Sequence, residues 1–340
     1  MAIRISTGLP NCREGRQNLI GSVSREGMER SARLAESLGY HALWPNEFIV
    51  TDPPVAARYA TPPNLYDTIV TMSFVAAVTS RIRLIPSTIV LPLHEPLLLS
   101  RQLATLDVFS GGRITLGIGL GGSAEEYRRL FGTLDKPNRG QMVDEYLQAL
   151  RALWTDRHAT FHGKYVSITE AEAFPKPVQD PLPIFVAGNG EAMLKRAANA
   201  QGWIEFGLQP DDIRSTIAQL REYREEVGRQ DEPFEIARQF YISIAPTEDE
   251  AKANHAAAVP PPDGPGSGGS GGGSSTPPPW EHTLVGTPER IGARLADYVE
   301  AGVTEICAIF YSRNDETTER QTRLFAAEVM PALGVASTGV

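Results

Sequence analysis

The stretch RLIPSTIVLPLHEPLLLSRQLATLDVFSGGRITLGIGLGG, from Arg83 to Gly122, decides the fold of this 340-residue chain. Its pattern predicts a buried strand, a loop, a helix that begins at Pro96 and ends before Gly111 and Gly112, and then a second buried strand. Both strands are almost continuously apolar, which is typical of parallel strands that are covered on both faces. The second strand ends in a run of glycines where the next helix should begin. This run indicates that a site lies at the end of the strand.

The same alternation of strand and helix extends over the rest of the chain. Eight apolar runs are each followed by a helical pattern, which predicts an α/β fold with a parallel sheet and helices outside it. Eight such units indicate a (β/α)8 TIM barrel with insertions. A doubly wound open sheet is the alternative, but no G-x-G-x-x-G motif opens a helix after the first strand. The predicted strands are Ile3–Leu9, His41–Phe48, Arg83–Val90, Arg113–Leu120, Leu182–Asn189, Gly202–Leu208, Phe234–Ala245 and Glu305–Tyr311.

One segment, Val259–Glu281, interrupts this alternation. It is rich in Pro at both ends and in Gly and Ser in the middle, a composition that cannot bury a core and that predicts a flexible coil. Because it separates the seventh strand's helix from the last strand–helix unit, we interpret it as an insertion and residues 1–340 as a single barrel domain. The GSGGSGGGSS core fits either a natural low-complexity loop or an engineered linker.

Composition excludes several classes of function. The formal net charge of −9 argues against a nucleic-acid partner, which needs a basic surface. No apolar run approaches the roughly 20 residues of a membrane span, and the first residues do not resemble a signal peptide. Two cysteines are too few for a disulfide framework, and the histidines show no metal-binding spacing such as H-E-x-x-H. We therefore expect a cytoplasmic protein without a bound metal and without a membrane partner.

Small residues line the ends of the third, fourth and fifth predicted strands. Barrel enzymes carry their sites at the carboxyl ends of the strands, and glycine lets a ligand approach the backbone closely. The three ends would form a shallow bay that is wide enough for a flat ligand with several rings. A glycine-rich turn that only makes room for packing is the alternative. The predicted cofactor-binding residues are Ser87, Thr88, Gly117, Gly119, Gly121, Gly122, Gly188, Asn189 and Gly190.

Three segments resemble one known family. They are AAVTSRIRLIPSTIVLPLHEPLLLSRQLATLDVFSGGRITLGIGLGG, FPKPVQDPLPIFVAGNGEAMLKRAANAQGWIEFG and the tail VGTPERIGARLADYVEAGVTEICAIFY. Together they are similar to the bacterial luciferase-like monooxygenase and F420-dependent oxidoreductase superfamily, and the resemblance covers nearly the whole chain outside the insertion. It implies a luciferase-like TIM barrel that binds coenzyme F420 or FMN. It also implies a non-prolyl cis peptide between Ser87 and Thr88, which would back the central ring of the cofactor.

The resemblance favours F420 over FMN. The luciferase branch carries an arginine in the fourth-strand motif that helps to hold the FMN phosphate, and Leu120 stands at the matching position here. The GLGG motif and the loop sequence VTDPPVAARY are more similar to the F420 branch. Family members commonly form homodimers, so the resemblance implies a homodimer that acts on a small-molecule substrate. An FMN enzyme of this kind would also need a flavin reductase as a partner.

The catalytic acid or base is harder to assign. Many family members end the second strand in an acidic residue followed by His, whereas this chain has Glu47 followed by Phe48. Glu47 is therefore the candidate acid or base, because a carboxyl group beside Trp44 and Phe48 could have a raised pKa. The alternative is that Glu47 holds a backbone N–H or an arginine at the barrel mouth. Asn46 is the candidate that hydrogen-bonds the cofactor or the substrate.

Three functions remain open from the sequence. The first is an oxidoreductase that transfers a hydride between F420 and a small organic substrate. The second is a two-component FMN monooxygenase. The third is a barrel that binds a cofactor but has lost catalysis, since Phe48 replaces the usual histidine.

Overall fold

The computed structural model describes residues 3–51, 59–121, 138–258 and 283–335. Its centre is a curled, parallel sheet of ten strands, with helices on the outside. The predicted insertion Val259–Glu281 and most of the loop sequence VTDPPVAARY lie outside the described residues. The strands are β1 Arg4–Gly8, β2 Ala42–Trp44, β3 Arg83–Leu84, β4 Ile89–Val90, β5 Leu116–Gly119, β6 Ala159–His162, β7 Ser167–Ala171, β8 Ile184–Ala187, β9 Gly202–Glu205, β10 Glu235–Ile244, β11 Thr283–Gly286 and β12 Glu305–Phe310.

The pairing of these strands closes the barrel. β1 lies between β2 and β12, and the sheet continues from β12 through β10, β9, β8 and β5 to β4. β3 pairs with β2, β4 pairs with β5, and a further bridge joins Leu84 to Ile114. Because β3 and β4 are two pieces of one predicted strand, these pairings complete the ring. The predicted (β/α)8 barrel is therefore confirmed.

The third predicted strand, Arg83–Val90, is interrupted rather than continuous. Its middle contains Pro86, which has no N–H to donate to a neighbouring strand, and the cis peptide between Ser87 and Thr88. The remaining predicted strands are present, but most are shorter at their ends than expected. The sequence analysis missed β11, which pairs with β10, and the antiparallel hairpin of β6 and β7. These three strands are short, and the hairpin is largely exposed, so no buried apolar run marks them.

The helices begin and end at the signals that the sequence contains. The Oγ of Ser24 accepts the Gly27 N–H at the start of α1, and α3 begins at Pro96 and ends at Gly111, whose φ of 71° is left-handed. The helices are α1 Arg25–Ser37, α2 Thr68–Val78, α3 Pro96–Ser110, α4 Arg139–Thr155, α5 Glu191–Ala198, α6 Pro210–Glu226, α7 Glu248–Ala258, α8 Pro288–Glu300, α9 Asp315–Leu324 and α10 Met330–Ala332, with a π-helical turn at Phe325–Val329 between the last two. Within the described ranges, no helix combines the length and the apolar character that a membrane span requires.

The core has two layers. The larger layer lies between the barrel and its helices, and the smaller one fills the inside of the barrel. The inner layer contains Ala42, Trp44, Ile85, Phe185, Ala187, Ile204, Ala237, Cys307 and Ile309. Below it, Glu305 Oε1 accepts hydrogen bonds from Ser6 Oγ at 2.6 Å and from Trp44 Nε1 at 3.2 Å. This packed interior leaves the carboxyl ends of the strands as the place for a ligand.

Candidate active site

The three predicted strand ends are neighbours in space. β4, β5 and β8 follow one another in the sheet, so the segments after them meet at one edge of the barrel. The structure thereby brings together eight of the nine predicted cofactor-binding residues. The ninth, Gly122, lies outside the described residues. No comparison tests their role, so cofactor binding by these residues stays a prediction.

Ser87 and Thr88 form the floor of this edge. The peptide bond between them is cis, as the resemblance implies. Gln239, on the opposite side of the barrel in β10, donates its side-chain N–H to Ser87 Oγ, and its Nε2 lies 3.5 Å from the Ser87 carbonyl oxygen. The sequence analysis missed Gln239 because 152 positions separate the two residues. Gln239 therefore holds the segment that is predicted to back the cofactor ring.

The glycines of β5 first make room for the neighbouring strand. A Cβ atom on Gly117 would lie 1.9 Å from the carbonyl oxygen of Pro86, and one on Gly119 would lie 2.6 Å from Thr88 Oγ1. No side chain fits at either position without movement of the Pro86–Thr88 segment. The packing interpretation thus accounts for Gly117 directly. The glycines also shape the bay, because they let the segment with Ser87 and Thr88 come close to β5.

The end of β8 is fixed by its own hydrogen bonds. The carbonyl oxygen of Gly188, whose φ is 124°, accepts Trp203 Nε1–H at 2.9 Å. The side chain of Asn189 bridges to the backbone of Phe206 through both its oxygen and its nitrogen. Gly190 caps α5, and a Cβ atom placed on it would meet nothing within 4 Å. Asn189 thus holds the turn, while Gly190 leaves open space before the N-terminus of a helix, where an anion is favoured.

An arginine that the sequence analysis did not consider meets the end of β5. Arg139, the first residue of α4, donates from Nη1 to the carbonyl oxygens of Leu120 at 3.3 Å and Gly121 at 3.4 Å. Leu120 occupies the position of the arginine in the luciferase branch. An arginine therefore lies at this strand end after all, although it comes from a later helix.

Glu47 pairs with a histidine. Its Oε2 accepts the Val90 N–H at 2.6 Å, and its Oε1 lies 3.0 Å from His94 Nε2. The Glu47 side chain is only 3% exposed. Burial by itself would lower the pKa of His94, but the hydrogen bond and the charge of Glu47 raise that pKa overall. His94 was not among the predicted site residues. The structure adds it to the site, because the loop after β4 brings His94 back to Glu47 at the end of β2.

Asn46 and Phe48 flank Glu47 in the chain. The backbone of Asn46 is held by Asn11, whose Nδ2 donates to the Asn46 carbonyl oxygen at 2.8 Å. The side-chain Oδ1 of Asn46 is buried and has no hydrogen-bond partner among the described residues. Phe48, at the position of the usual histidine, packs against Arg16, whose Cζ lies 4.0 Å from the ring centroid. Asn46 is thus available to a ligand, whereas Phe48 supports the loop after β1.

The site is built from backbone groups and polar side chains. In the described part of the chain, no group of three or more His, Cys, Asp or Glu side chains comes close enough to hold a metal ion. What the strand ends offer is an exposed backbone edge, a buried unpaired amide oxygen and a carboxylate–histidine pair.

Comparison with known proteins identifies relatives of both cofactor types. Residues 9–272 match the family model described as luciferase-like monooxygenase. An uncharacterized protein of Mycobacterium tuberculosis is 33% identical over 235 residues, which are 65% of this chain and 80% of that protein. The F420-dependent glucose-6-phosphate dehydrogenase of Kineococcus radiotolerans is 28% identical over 78% of this chain and 82% of its own. The FMNH2-dependent dimethylsulfone monooxygenase of Pseudomonas putida is 26% identical over 65% and 59%.

Solved structures agree on the fold. A long-chain alkane monooxygenase superimposes with a TM-score of 0.77 at 17% identity, over 100% of this chain and 93% of that one. An F420-dependent secondary alcohol dehydrogenase in complex with an F420–acetone adduct superimposes with a TM-score of 0.76 at 18% identity, over 98% and 99%. At such low identity these two structures support the barrel fold alone.

Proposed function

Because the chain belongs to the luciferase-like monooxygenase family, we propose that it is an oxidoreductase that transfers a hydride between coenzyme F420 and a small organic substrate. The reaction takes place at the carboxyl end of the barrel. The observation that carries this proposal is the meeting of the β4, β5 and β8 ends at one edge, beside the Glu47–His94 pair. Family membership supports a redox enzyme. The choice of F420 rather than FMN as its cofactor is our proposal.

Two observations support F420. Leu120 replaces the arginine that the resemblance associates with the FMN phosphate. The F420-dependent relative from Kineococcus radiotolerans also aligns with more of this chain than the FMNH2-dependent relative does, 78% against 65%. An FMN-dependent monooxygenase served by a partner reductase is the second candidate, and Arg139 at the end of β5 supports it.

When F420 is bound, it supplies or accepts the hydride, and the protein must orient the substrate and manage a proton. Ser87 and Thr88, held by Gln239, support the ring from below. Gly190 leaves open space before the N-terminus of α5, where an anionic group of the cofactor would be favoured. Asn46 Oδ1 would accept a hydrogen bond from the cofactor or the substrate, which would satisfy a buried atom that has no partner among the described residues.

Glu47 and His94 hold the proton of the reaction. His94 Nε2 donates to the Glu47 carboxylate when the imidazole is protonated, and the raised pKa of His94 keeps a proton there to higher pH than in an isolated histidine. Loss of the proton on the other ring nitrogen, Nδ1, to a substrate oxygen would leave a neutral imidazole whose Nε2 still donates to the Glu47 carboxylate. The pair could thus do the work of the histidine that Phe48 replaces.

A binding titration tests the proposal. Purified protein is titrated with oxidised F420 and, separately, with FMN, and binding is followed by absorbance and by tryptophan fluorescence, since Trp44 and Trp203 lie inside or beside the barrel. We expect micromolar binding of F420 and much weaker binding of FMN. Tight binding of FMN with weak binding of F420 would favour the monooxygenase. Binding of neither would leave the cofactor role of the strand ends unsupported, and F420 binding without any turnover would favour a barrel that has lost catalysis.

We also propose that the protein is a homodimer through α2 and α3. These helices lie side by side on the outer wall and expose large apolar side chains, with Val70 68%, Leu98 55% and Phe109 82% exposed. A cavity of about 300 Å³ lies beside them, between α1 and α2, and is lined by Met28, Val70 and Phe74 among others. Large exposed apolar side chains on neighbouring helices are typical of protein–protein contacts. Light scattering should give twice the monomer mass of 37.0 kDa.

A further inference from the structure

Arg13 is a buried cation that pairs with no carboxylate in the part of the chain that the structure describes. It lies in the loop after β1, is only 3% exposed, and donates from Nε to the Leu9 carbonyl oxygen at 3.0 Å. Its Nη2 is buried and has no hydrogen-bond partner, and no carboxylate of the described residues forms an ion pair with it. A buried charge costs several kcal/mol unless it is paired. Within the described residues, Nη2 of this guanidinium therefore lacks a partner.

The guanidinium lies at the mouth of the barrel interior. Gly8, the last residue of β1, faces the inner core layer, because a Cβ atom on it would lie 2.9 Å from Ile309 Cγ1. The same Cβ position is 3.4 Å from both Nε and Nη2 of Arg13. Gly8 thus leaves the space in which Arg13 caps the interior at the carboxyl end of β1.

The effect of Arg13 on neighbouring side chains agrees with this placement. Burial raises the pKa of the Cys307 thiol and of the Tyr311 hydroxyl, and the positive charge of Arg13 partly opposes both shifts. Cys307 belongs to the inner layer, and Tyr311 directly follows β12. Arg16, three positions later in the same loop, is engaged with the ring of Phe48 instead. Of these two loop arginines, Arg13 is the one over the barrel interior.

A second unpaired polar atom lies at the adjacent strand end. Asn46 follows β2, which pairs with β1 so that Gly8 is opposite Trp44, and Asn46 Oδ1 is buried without a partner among the described residues. The mouth thus presents one unpaired cationic donor and one unpaired acceptor at the ends of neighbouring strands. A ligand that satisfies both carries an anionic oxygen and a hydroxyl or N–H group.

We propose that Arg13 binds a carboxylate of the substrate, so that the substrate class is an organic acid with a nearby hydroxyl or amino group. Guanidinium and carboxylate form charge-assisted hydrogen bonds that are stronger than neutral ones. Arg13 is distant in sequence from the predicted cofactor-binding residues, and it lies on the β1 side of the mouth. This inference rests on the proposed function, because it assigns the substrate of that same site.

The test compares anions with their neutral amides. The cofactor-loaded protein is titrated with acetate, benzoate and lactate and, in parallel, with acetamide, benzamide and lactamide, with tryptophan fluorescence as the readout. The variants are Arg13→Met and Arg13→Lys. The control is Arg33→Met, which also removes one positive charge but at a side chain on α1 that is 58% exposed. Melting curves show whether each variant folds, and a cofactor titration is repeated for each.

We expect the wild-type protein and Arg33→Met to bind at least one acid tenfold or more tightly than its amide. Arg13→Met should lose this preference, Arg13→Lys should keep part of it, and cofactor affinity should stay within twofold in all variants. Equal binding of every acid and its amide by wild type would overturn the proposal, as would an unchanged preference in Arg13→Met. A loss of cofactor affinity in Arg13→Met would also overturn it, by assigning the cation to the cofactor.

Two outcomes of this experiment distinguish a failure of this inference from a failure of the proposed function. If the wild-type protein binds neither F420 nor FMN, the proposed function fails, but the same titrations on the cofactor-free protein still report on Arg13. If Arg13→Met does not fold, Arg13→Lys decides the matter. Lysine keeps the charge but lacks the planar guanidinium, which can bind a carboxylate through two N–H groups. A reduced preference for acids with unchanged amide binding would therefore support the proposal, and an unchanged preference would contradict it.

Discussion

Glu47 Oε1 lies 3.0 Å from His94 Nε2, and this contact joins the end of β2 to the loop after β4. The same carboxylate accepts the Val90 N–H at 2.6 Å, so it also ties β2 to the end of β4. The structure therefore confirms that Glu47 holds a backbone N–H, whereas its role as the acid or base stays a prediction. Which role dominates is a question for substitution.

The Glu47→Gln variant should separate the two roles. The new amide would keep an oxygen for the Val90 N–H but could not stabilise a protonated His94. We expect cofactor-dependent turnover to fall by about 10²- to 10⁴-fold, the usual contribution of a positioned acid or base, with little loss of cofactor affinity. Turnover is followed at the absorbance band of the bound cofactor.

The matched control for this substitution is Glu36→Gln. The Glu36 carboxylate also accepts backbone N–H groups, from Arg81 at 2.6 Å and Ile82 at 3.0 Å, but it lies at the amino end of the barrel. This variant should lose stability without a comparable loss of turnover. Equal turnover losses in the two variants would argue that Glu47 acts only through the fold.

The His94→Gln variant should reveal the pH dependence of the pair. The pKa of His94 is raised in the folded protein, so its stabilising contribution is complete below the unfolded value of about 6.5 and is lost as pH rises through the folded pKa. At pH 5.5 we expect the free energy of unfolding to be about 1.5–3 kcal/mol lower in the variant than in wild type, the range for a hydrogen bond to a charged group.

Urea unfolding from pH 5.5 to 9 checks this prediction. The difference between the two proteins should shrink as the pH rises. His162→Gln, in the exposed β6–β7 hairpin, serves as the control and should change the stability little. A wild-type advantage that is constant, or that grows with pH, would contradict the raised pKa.

Gly117→Ala should be strongly destabilising because the new Cβ would lie 1.9 Å from the backbone oxygen of Pro86. Overpacking of this kind typically costs about 1–3 kcal/mol, and backbone cannot move aside as easily as a side chain. Gly190→Ala is the matched control: its φ of −74° suits alanine, and open space surrounds the site. Thermal unfolding should separate the two, and equal melting temperatures would refute the packing role of Gly117.

Arg238→Met should destabilise the barrel wall. Arg238, in β10, forms a buried ion pair with Glu205 of β9, and its guanidinium lies 4.2 Å from the ring centroid of Tyr298. Burial raises the pKa of Glu205, and the charge of Arg238 opposes that shift. Removal of one partner leaves a buried charge, at a cost of about 3–5 kcal/mol.

Two further measurements test this interpretation of the buried pair. The deficit of Arg238→Met in urea unfolding should become smaller as the pH falls, because a protonated Glu205 costs less to bury. The double variant Glu205→Leu, Arg238→Met should recover much of the lost stability. A double variant no more stable than the single one would show that the pair's hydrogen bonds, rather than the uncompensated charge, carry the effect.

The strand–helix alternation was enough to predict the barrel. Continuous apolar runs such as ITLGIGL specify strands buried on both faces, and helix stops such as Gly111 are local in the chain. The meeting of the third, fourth and fifth strand ends also followed, since consecutive parallel strands in a barrel are neighbours. The short strands β6, β7 and β11 could not be predicted, because they lack a buried apolar run.

What the sequence determined by itself is the architecture, and it also predicted the edge of the barrel at which a site would lie. Only the tertiary structure decided which side chains meet there, because those contacts join residues far apart in the chain. His94 reaches Glu47 across 47 positions, and Gln239 reaches Ser87 across 152. The lack of a partner for Arg13 Nη2 among the described residues is likewise a property of three-dimensional packing. Local patterns encode secondary structure through backbone geometry and solvent exposure, whereas pairing depends on how the closed barrel brings distant strand ends to one mouth.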